Sequence, residues 1–302
     1  MENLNHQVKT RKMKFPFSFL FLSGIVAAYS TTYAQQPTNT TNDYFPKSFN
    51  WAGAYLGGYI GGAWGQSNMS TYVNSLTATP YFDSTANINS VNQSGSRALN
   101  SNVFIGGIQF NDNFVLKDRY ILGLTLDYGA LNLNASNAIK NAIYPDGSGD
   151  YSLQTSINTD WFYTVRGRLG YIVSSLSTPL AIYTTGGLAV TNLSMSNTLS
   201  DNSSLLGVGE GITRNNPMGW TVGAGFELPI IQNLTINAEY LYMQFGTVTI
   251  NSSIYNSAEG FGIDSHSLVS PFNTSAHLSA NLFKVGLNYK FEPINFGFKS
   301  TK

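Results

Sequence analysis

Asn281-Leu282-Phe283-Lys284-Val285-Gly286-Leu287-Asn288-Tyr289-Lys290-Phe291 is the stretch that decides the fold. In an extended chain Phe283, Val285, Leu287, Tyr289 and Phe291 share one face, while Lys284, Gly286, Asn288 and Lys290 share the other. A strand with lipid on one side and a polar lumen on the other reads this way. Seven earlier stretches of about ten residues repeat the alternation, joined in turn by long Asn/Ser/Thr-rich connections and short turns. The expected fold is all-β: an eight-stranded antiparallel transmembrane β-barrel with long extracellular loops.

The first expected strand runs from Trp51 to Gln66, with Leu56, Ile60 and Trp64 toward lipid. The second covers Asn102 to Phe110 and extends in the same phase toward Leu116. Tyr120 to Ala130 alternates without a break and sends Asp127 into the lumen. In the fourth, Trp161 to Tyr171, Arg166 and Arg168 point inward together. Leu180 to Val190, Gly219 to Leu228 with Glu227 inside, and Leu234 to Tyr242 with Glu239 inside complete the set before Asn281. The stretches 67–101, 132–159, 191–218 and 245–280 read as loops, and the short turns fall near Asp118, Pro179 and Gln232. An even strand count with this alternation places the turns and both termini in the periplasm and the loops outside. Trp64, Trp161 and Trp220 then fall at the outer interface, and Trp51 and Phe291 at the inner one. A soluble barrel or sandwich would also alternate, but would normally use short hairpins at both ends.

Composition points the same way. Charged residues make up 11% of the chain, too few for an ordinary soluble surface, yet no long apolar run follows the N-terminus to build a helical membrane protein. Lys9, Arg11, Lys12 and Lys14 precede the apolar run from Phe15 to Tyr29, and Thr32-Tyr33-Ala34 supplies a small-x-small site before Gln35. Residues 1–34 are therefore expected to be a signal peptide, starting at Met1 or at Met13, and the run is too short for a membrane anchor. Residues 35–50 form a periplasmic leader, 51–291 the barrel and 292–302 a C-terminal tail. Removing four basic residues and Glu2 from the 16 of each sign leaves 12 Lys and Arg against 15 Asp and Glu, a mildly acidic chain with no nucleic-acid-binding character.

Asp127, Arg166, Arg168, Glu239 and Lys284 are the inward charges, at similar depth, with Asp127 on a strand next to the arginines and Glu239 next to Lys284. An eight-stranded interior has room only for side chains, so the expected arrangement is a paired plug, the alternative a charged constriction that selects ions. No catalytic constellation and no metal-ligand set can be singled out.

Six runs together resemble a known family: Asn50 to Gly58, Val165 to Tyr171, Gly186 to Ala189, Gly219 to Gly225, Ala238 to Tyr242 and Val285 to Phe291. They are similar, in order, to the small outer-membrane β-barrel proteins of Gram-negative bacteria, often labelled porin-like, which include surface antigens and hemin-binding proteins. The resemblance implies a protein of the cell outer membrane, in contact with outer-membrane lipid and with the outer-membrane assembly machinery. Tyr289 and Phe291 resemble the terminal aromatic signal that this machinery reads, although family members usually stop there and this chain continues to Lys302, with Phe296 and Phe298 as other registers. The implied role is structural and interactive, with the loops meeting host surface molecules or the environment. Hemin-binding relatives suggest heme as a possible ligand of His266, His277 and Tyr255; no other cofactor is expected. A narrow channel is the third reading.

Overall fold

The computed structural model describes residues 45–258 and 264–292. The expected signal peptide, most of the expected leader and the expected tail beyond Glu292 lie outside them, as do Phe296 and Phe298. Among the described residues twelve strands and one helix follow in order: β1 (Gly53–Val73), α1 (Thr85–Gly95), β2 (Ala98–Leu116), β3 (Tyr120–Ala130), β4 (Asn134–Ile143), β5 (Asp150–Asn158), β6 (Trp161–Val173), β7 (Leu180–Thr191), β8 (Leu193–Asp201), β9 (Gly207–Asn215), β10 (Met218–Ile231), β11 (Leu234–Asn256) and β12 (Val269–Lys290).

Eight of these close a ring. The pairing order β10-β7-β6-β3-β2-β1-β12-β11 returns to β10, every contact antiparallel, which leaves the barrel without an edge. The outer face carries the apolar residues that the alternation assigns to it: Ile60, Phe104 and Leu169 are 61%, 73% and 62% exposed, and Leu56, Tyr163, Val222 and Phe283 join the same belt. Among the described residues no helix is long and apolar enough to cross a membrane. The crossing is made by strands.

The short connections obey hairpin chemistry. Arg119 N donates to Leu116 O at 3.2 Å, and the central residues Lys117 and Asp118 both have positive φ, 51° and 54°, the hand that matches the twist of paired strands. Trp51 departs from expectation. It is 2% exposed and packs with Phe49, Ile121, Ile172 and Ala181 inside the periplasmic mouth, instead of standing at the lipid interface. Gly53, at φ +123°, breaks the strand phase just after it.

The four long connections are also ordered, against the reading of them as loops. β1 and β2 extend beyond the expected strand ends toward 67–101, β11 runs on to Asn256, and β12 begins at Val269, twelve residues before Asn281. The β4–β5 and β8–β9 hairpins add four strands that branch from the upper end of β11 in the order β9-β8-β5-β4. The reason is a second alternation written with polar residues. Tyr151, Leu153, Thr155 and Ile157 on β5, and Leu193, Met195, Asn197 and Leu199 on β8, all face inward. The resulting extracellular lobe has its own core, where Val73, Tyr81, Phe82, Tyr151, Leu199 and Phe272 pack around Val91 of α1. Ser84 caps that helix by accepting from Asn87 N at 3.4 Å.

Candidate functional site

The inward charges meet in the lumen in two tiers. In the upper one, Arg166 uses its whole guanidinium. Nη2 donates to Asp127 Oδ2 and, at 3.2 Å, to Glu239 Oε2; Nη1 reaches Glu239 Oε1 at 2.5 Å and Thr185 Oγ1 at 2.6 Å; Nε reaches Thr164 Oγ1 at 3.2 Å. Lys284 Nζ donates to Asp127 Oδ1 at 2.8 Å, to Glu239 Oε2 at 3.0 Å and to Gln109 Oε1 at 3.1 Å, and lies 4.4 Å above the Tyr59 ring. Two acids and two bases with almost no exposure form a neutral quartet whose hydrogen-bonding groups are nearly all engaged.

Arg168 does not join Asp127. It sits two residues nearer the periplasm on β6, where it bonds Glu227 Oε2 at 2.5 Å and stacks its guanidinium 3.7 Å over Tyr183. Glu227 Oε1 also accepts from Thr235 and, at 3.1 Å, from Asn288 Nδ2. The sequence placed Glu227 inside but offered no sign of this pairing, because β10 and β6 are separated by β7 and meet only across the lumen. Gln109 Nε2 links the tiers, donating to Asn288 Oδ1 at 2.6 Å and Asn237 Oδ1 at 3.1 Å.

Glycines make room for these side chains. Arg166 faces Gly187 across a strand pair, Arg168 faces Gly123, Glu239 faces Gly225 and Lys284 faces Gly61. A Cβ on Gly187 would stand 2.0 Å from Val165 O and 2.7 Å from Arg166 Cα, both main-chain atoms that cannot swing away. Gly187→Val should therefore cost about 3 kcal/mol or more. The check is refolding yield, read as the mobility difference between boiled and unboiled protein on a detergent gel; wild-type yield would show that the strands can part there.

Layers above and below complete the filling. Toward the outside, Leu131, Phe162, Met195, Leu241, Met243 and Leu282 form an apolar layer over the quartet. At the periplasmic end the Trp51 cluster closes the mouth, with Lys290 donating to Asn50 O beside it. Arg168 Nε has no hydrogen-bond partner among the described residues.

The heme-ligand set is not brought together. His266 stacks on Tyr255 with ring centroids 4.2 Å apart, and Tyr255 pairs with Val269. His277 pairs with Thr247, eight residues down β11, about 26 Å along the strand. It shares a 3.0 Å hydrogen bond with Gln244 instead. Two histidines that far apart cannot bind one iron. Tyr289 and Phe291 point outward at the periplasmic end in edge-to-face contact at 5.5 Å, and Phe291 N donates to Ala54 O at 2.9 Å.

Residues 25–291 match the family model described as "Outer membrane protein beta-barrel domain". The chain belongs to that family. The outer-membrane barrel is 30% identical over 250 residues to the 31 kDa outer-membrane immunogenic protein of Brucella melitensis, covering 81% of this chain and 85% of the relative. It is 23% identical to the 25 kDa outer-membrane immunogenic protein of the same organism, covering 80% of each. Among solved structures it is similar to the outer membrane protein OprG from Pseudomonas aeruginosa, at 11% identity and a TM-score of 0.35, over 82% of this chain and 99% of that one. The family match ends at Phe291, one residue past the last strand. The outer-membrane barrel is thus a surface protein of the Gram-negative cell outer membrane, embedded in its lipid.

Proposed function

We propose that this barrel is a non-conducting, non-enzymatic anchor that reinforces the outer membrane and displays a folded extracellular lobe for contact with surrounding surfaces. The observation that carries the reading is the filled lumen. A neutral, hydrogen-bonded ion quartet lies between an apolar layer and an aromatic cluster, so the interior serves rigidity and the chemistry available to partners lies in the lobe. Relatives named as immunogenic outer-membrane proteins support surface display. Tyr289 and Phe291 supply the aromatic, outward-facing strand end that the assembly machinery would read.

The test is a deletion strain complemented by two forms, the full chain and one whose β4–β5 and β8–β9 hairpins are shortened at their tips. Both should restore resistance to detergent, since the barrel is intact in each. Failure of the shortened form, once shown to be folded in the membrane, would contradict the division of labour.

Orientation has its own check, because the chain contains no cysteine. Ser148→Cys, at the exposed tip between β4 and β5, should react with a membrane-impermeant maleimide on intact cells. Ser177→Cys, exposed in the β6–β7 turn, should react only after permeabilisation. The reverse pattern would invert the topology.

A further inference from the structure

One charge stands on the lipid face of the barrel. Counted from the periplasmic end of β2, the outward residues are Leu116, Phe114, Asp112, Phe110 and Ile108, while Asn113, Asn111 and Gln109 face inward and are buried. Among the described residues Asp112 is the only charged side chain that faces outward on the eight ring strands between the outer tryptophans and the periplasmic turns. Its neighbours are apolar. Phe110 and Phe114 flank it on the same strand, and its register partners are Ala54 on β1 and Leu124 on β3. Phe291 N donates to Ala54 O at 2.9 Å, so Asp112 lies in one row with the aromatic strand end at the inner interface. The carboxylate is half-buried and has no hydrogen-bond or ion-pair partner among the described residues. Lys117, the nearest basic residue in the sequence, lies about 16 Å further along, in the turn. A carboxylate facing lipid is costly unless a cation meets it, and the described residues supply none.

We propose that Asp112 forms a lipid site in the periplasmic leaflet for an ammonium headgroup that carries N–H, the chemistry of an ethanolamine phospholipid. Lipid already covers this face, because the ring strands are embedded in it; the carboxylate selects which headgroup stays. An ammonium with N–H gives it a charge-assisted hydrogen bond. A choline headgroup has the charge but no N–H to donate, and the carboxylate repels an anionic headgroup. Ala54 is the smallest of the neighbours, so the approach is open from the β1 side, between Asp112 and Phe291. Exposed Leu56 and Leu122 complete the apolar surround, as the acyl chains attached to such a headgroup require.

The experiment is native mass spectrometry of the refolded full chain, released from non-ionic detergent micelles doped with equal amounts of three phospholipids. Their acyl chains are identical and their headgroups are ethanolamine, N,N-dimethylethanolamine and choline. The monomer should retain the ethanolamine lipid about tenfold over the choline lipid. The dimethyl headgroup is nearly as bulky as choline but keeps one N–H, and should be retained like ethanolamine. Asp112→Asn should level the three, with heat-modifiable gel mobility intact because the side chain lies on the outer face. Ala54→Leu keeps the carboxylate but closes its approach, and should cut the preference severalfold. Asp118→Asn, an exposed acid in the turn of the same hairpin, should leave it unchanged. No preference in the unmodified chain, a dimethyl headgroup retained no better than choline, a preference unchanged by Asp112→Asn or by Ala54→Leu, or equal loss in Asp118→Asn would each overturn the proposal. So would a dimer that Asp112→Asn dissociates, since the cation would then come from a second copy.

Discussion

Asp127→Ala alone should destabilise the folded barrel by about 3 to 5 kcal/mol, because it strips a partner from both Arg166 and Lys284 in a space where neither cation can reach water. Replacing Asp127, Arg166, Glu239 and Lys284 together with apolar residues of similar volume should cost far less, since the desolvation of four charges is relieved at the same time. Arg168 is left in place in that variant because its partner is Glu227. The measurement is denaturant unfolding of the refolded protein in lipid, comparing single and quadruple changes. A silent Asp127→Ala would mean that the quartet does not hold the two cations.

Asp201→Ala should loosen the extracellular lobe while sparing the barrel. Five donors converge on that carboxylate, and its loss removes the acceptor of the Tyr144 hydroxyl and of Gly207 N and leaves Tyr81 OH with Ser203 Oγ at 3.1 Å alone. At about 1 to 3 kcal/mol for each buried group left unsatisfied, the cost is on the order of 3 kcal/mol or more. Burial, with the neighbouring Asp201 charge, already pushes both tyrosines above their ordinary pKa, so they remain protonated donors at any physiological pH. Limited proteolysis of the refolded variant should cut around residues 74–84 and 202–206 and leave a protected transmembrane fragment. Protection equal to the unmodified protein would show that the lobe does not depend on Asp201.

The barrel was legible because lipid imposes a strict rule, apolar at every outward position, and strands such as Tyr120–Ala130 follow it without exception. The lobe was not legible because water relaxes that rule. Outward positions on β5 and β8 are Asp, Ser, Gln, Thr and Asn, and inward ones interrupt Tyr, Leu, Ile and Met with Thr155 and Asn197, so the alternation is short and broken, with no lipid-facing belt to mark it. Among the charges, neighbours on adjacent strands were predictable: Glu239 pairs in register with Lys284, and Asp127 lies one strand from Arg166. Contacts across the lumen were not. Arg166 to Glu239 and Arg168 to Glu227 depend on strand tilt and side-chain reach, which alternation does not encode. Trp51 was misplaced for a related reason, since aromatics suit both a membrane interface and a plugged mouth, and Gly53 decides between them.

Aromatic, ionic and apolar layers stacked along the lumen leave no path for solutes in the proposed anchor, and liposome swelling reads that seal. Liposomes containing the refolded protein, placed in isotonic solutions of small sugars, should swell no faster than protein-free liposomes. Swelling at the rate given by a wide general porin would contradict it.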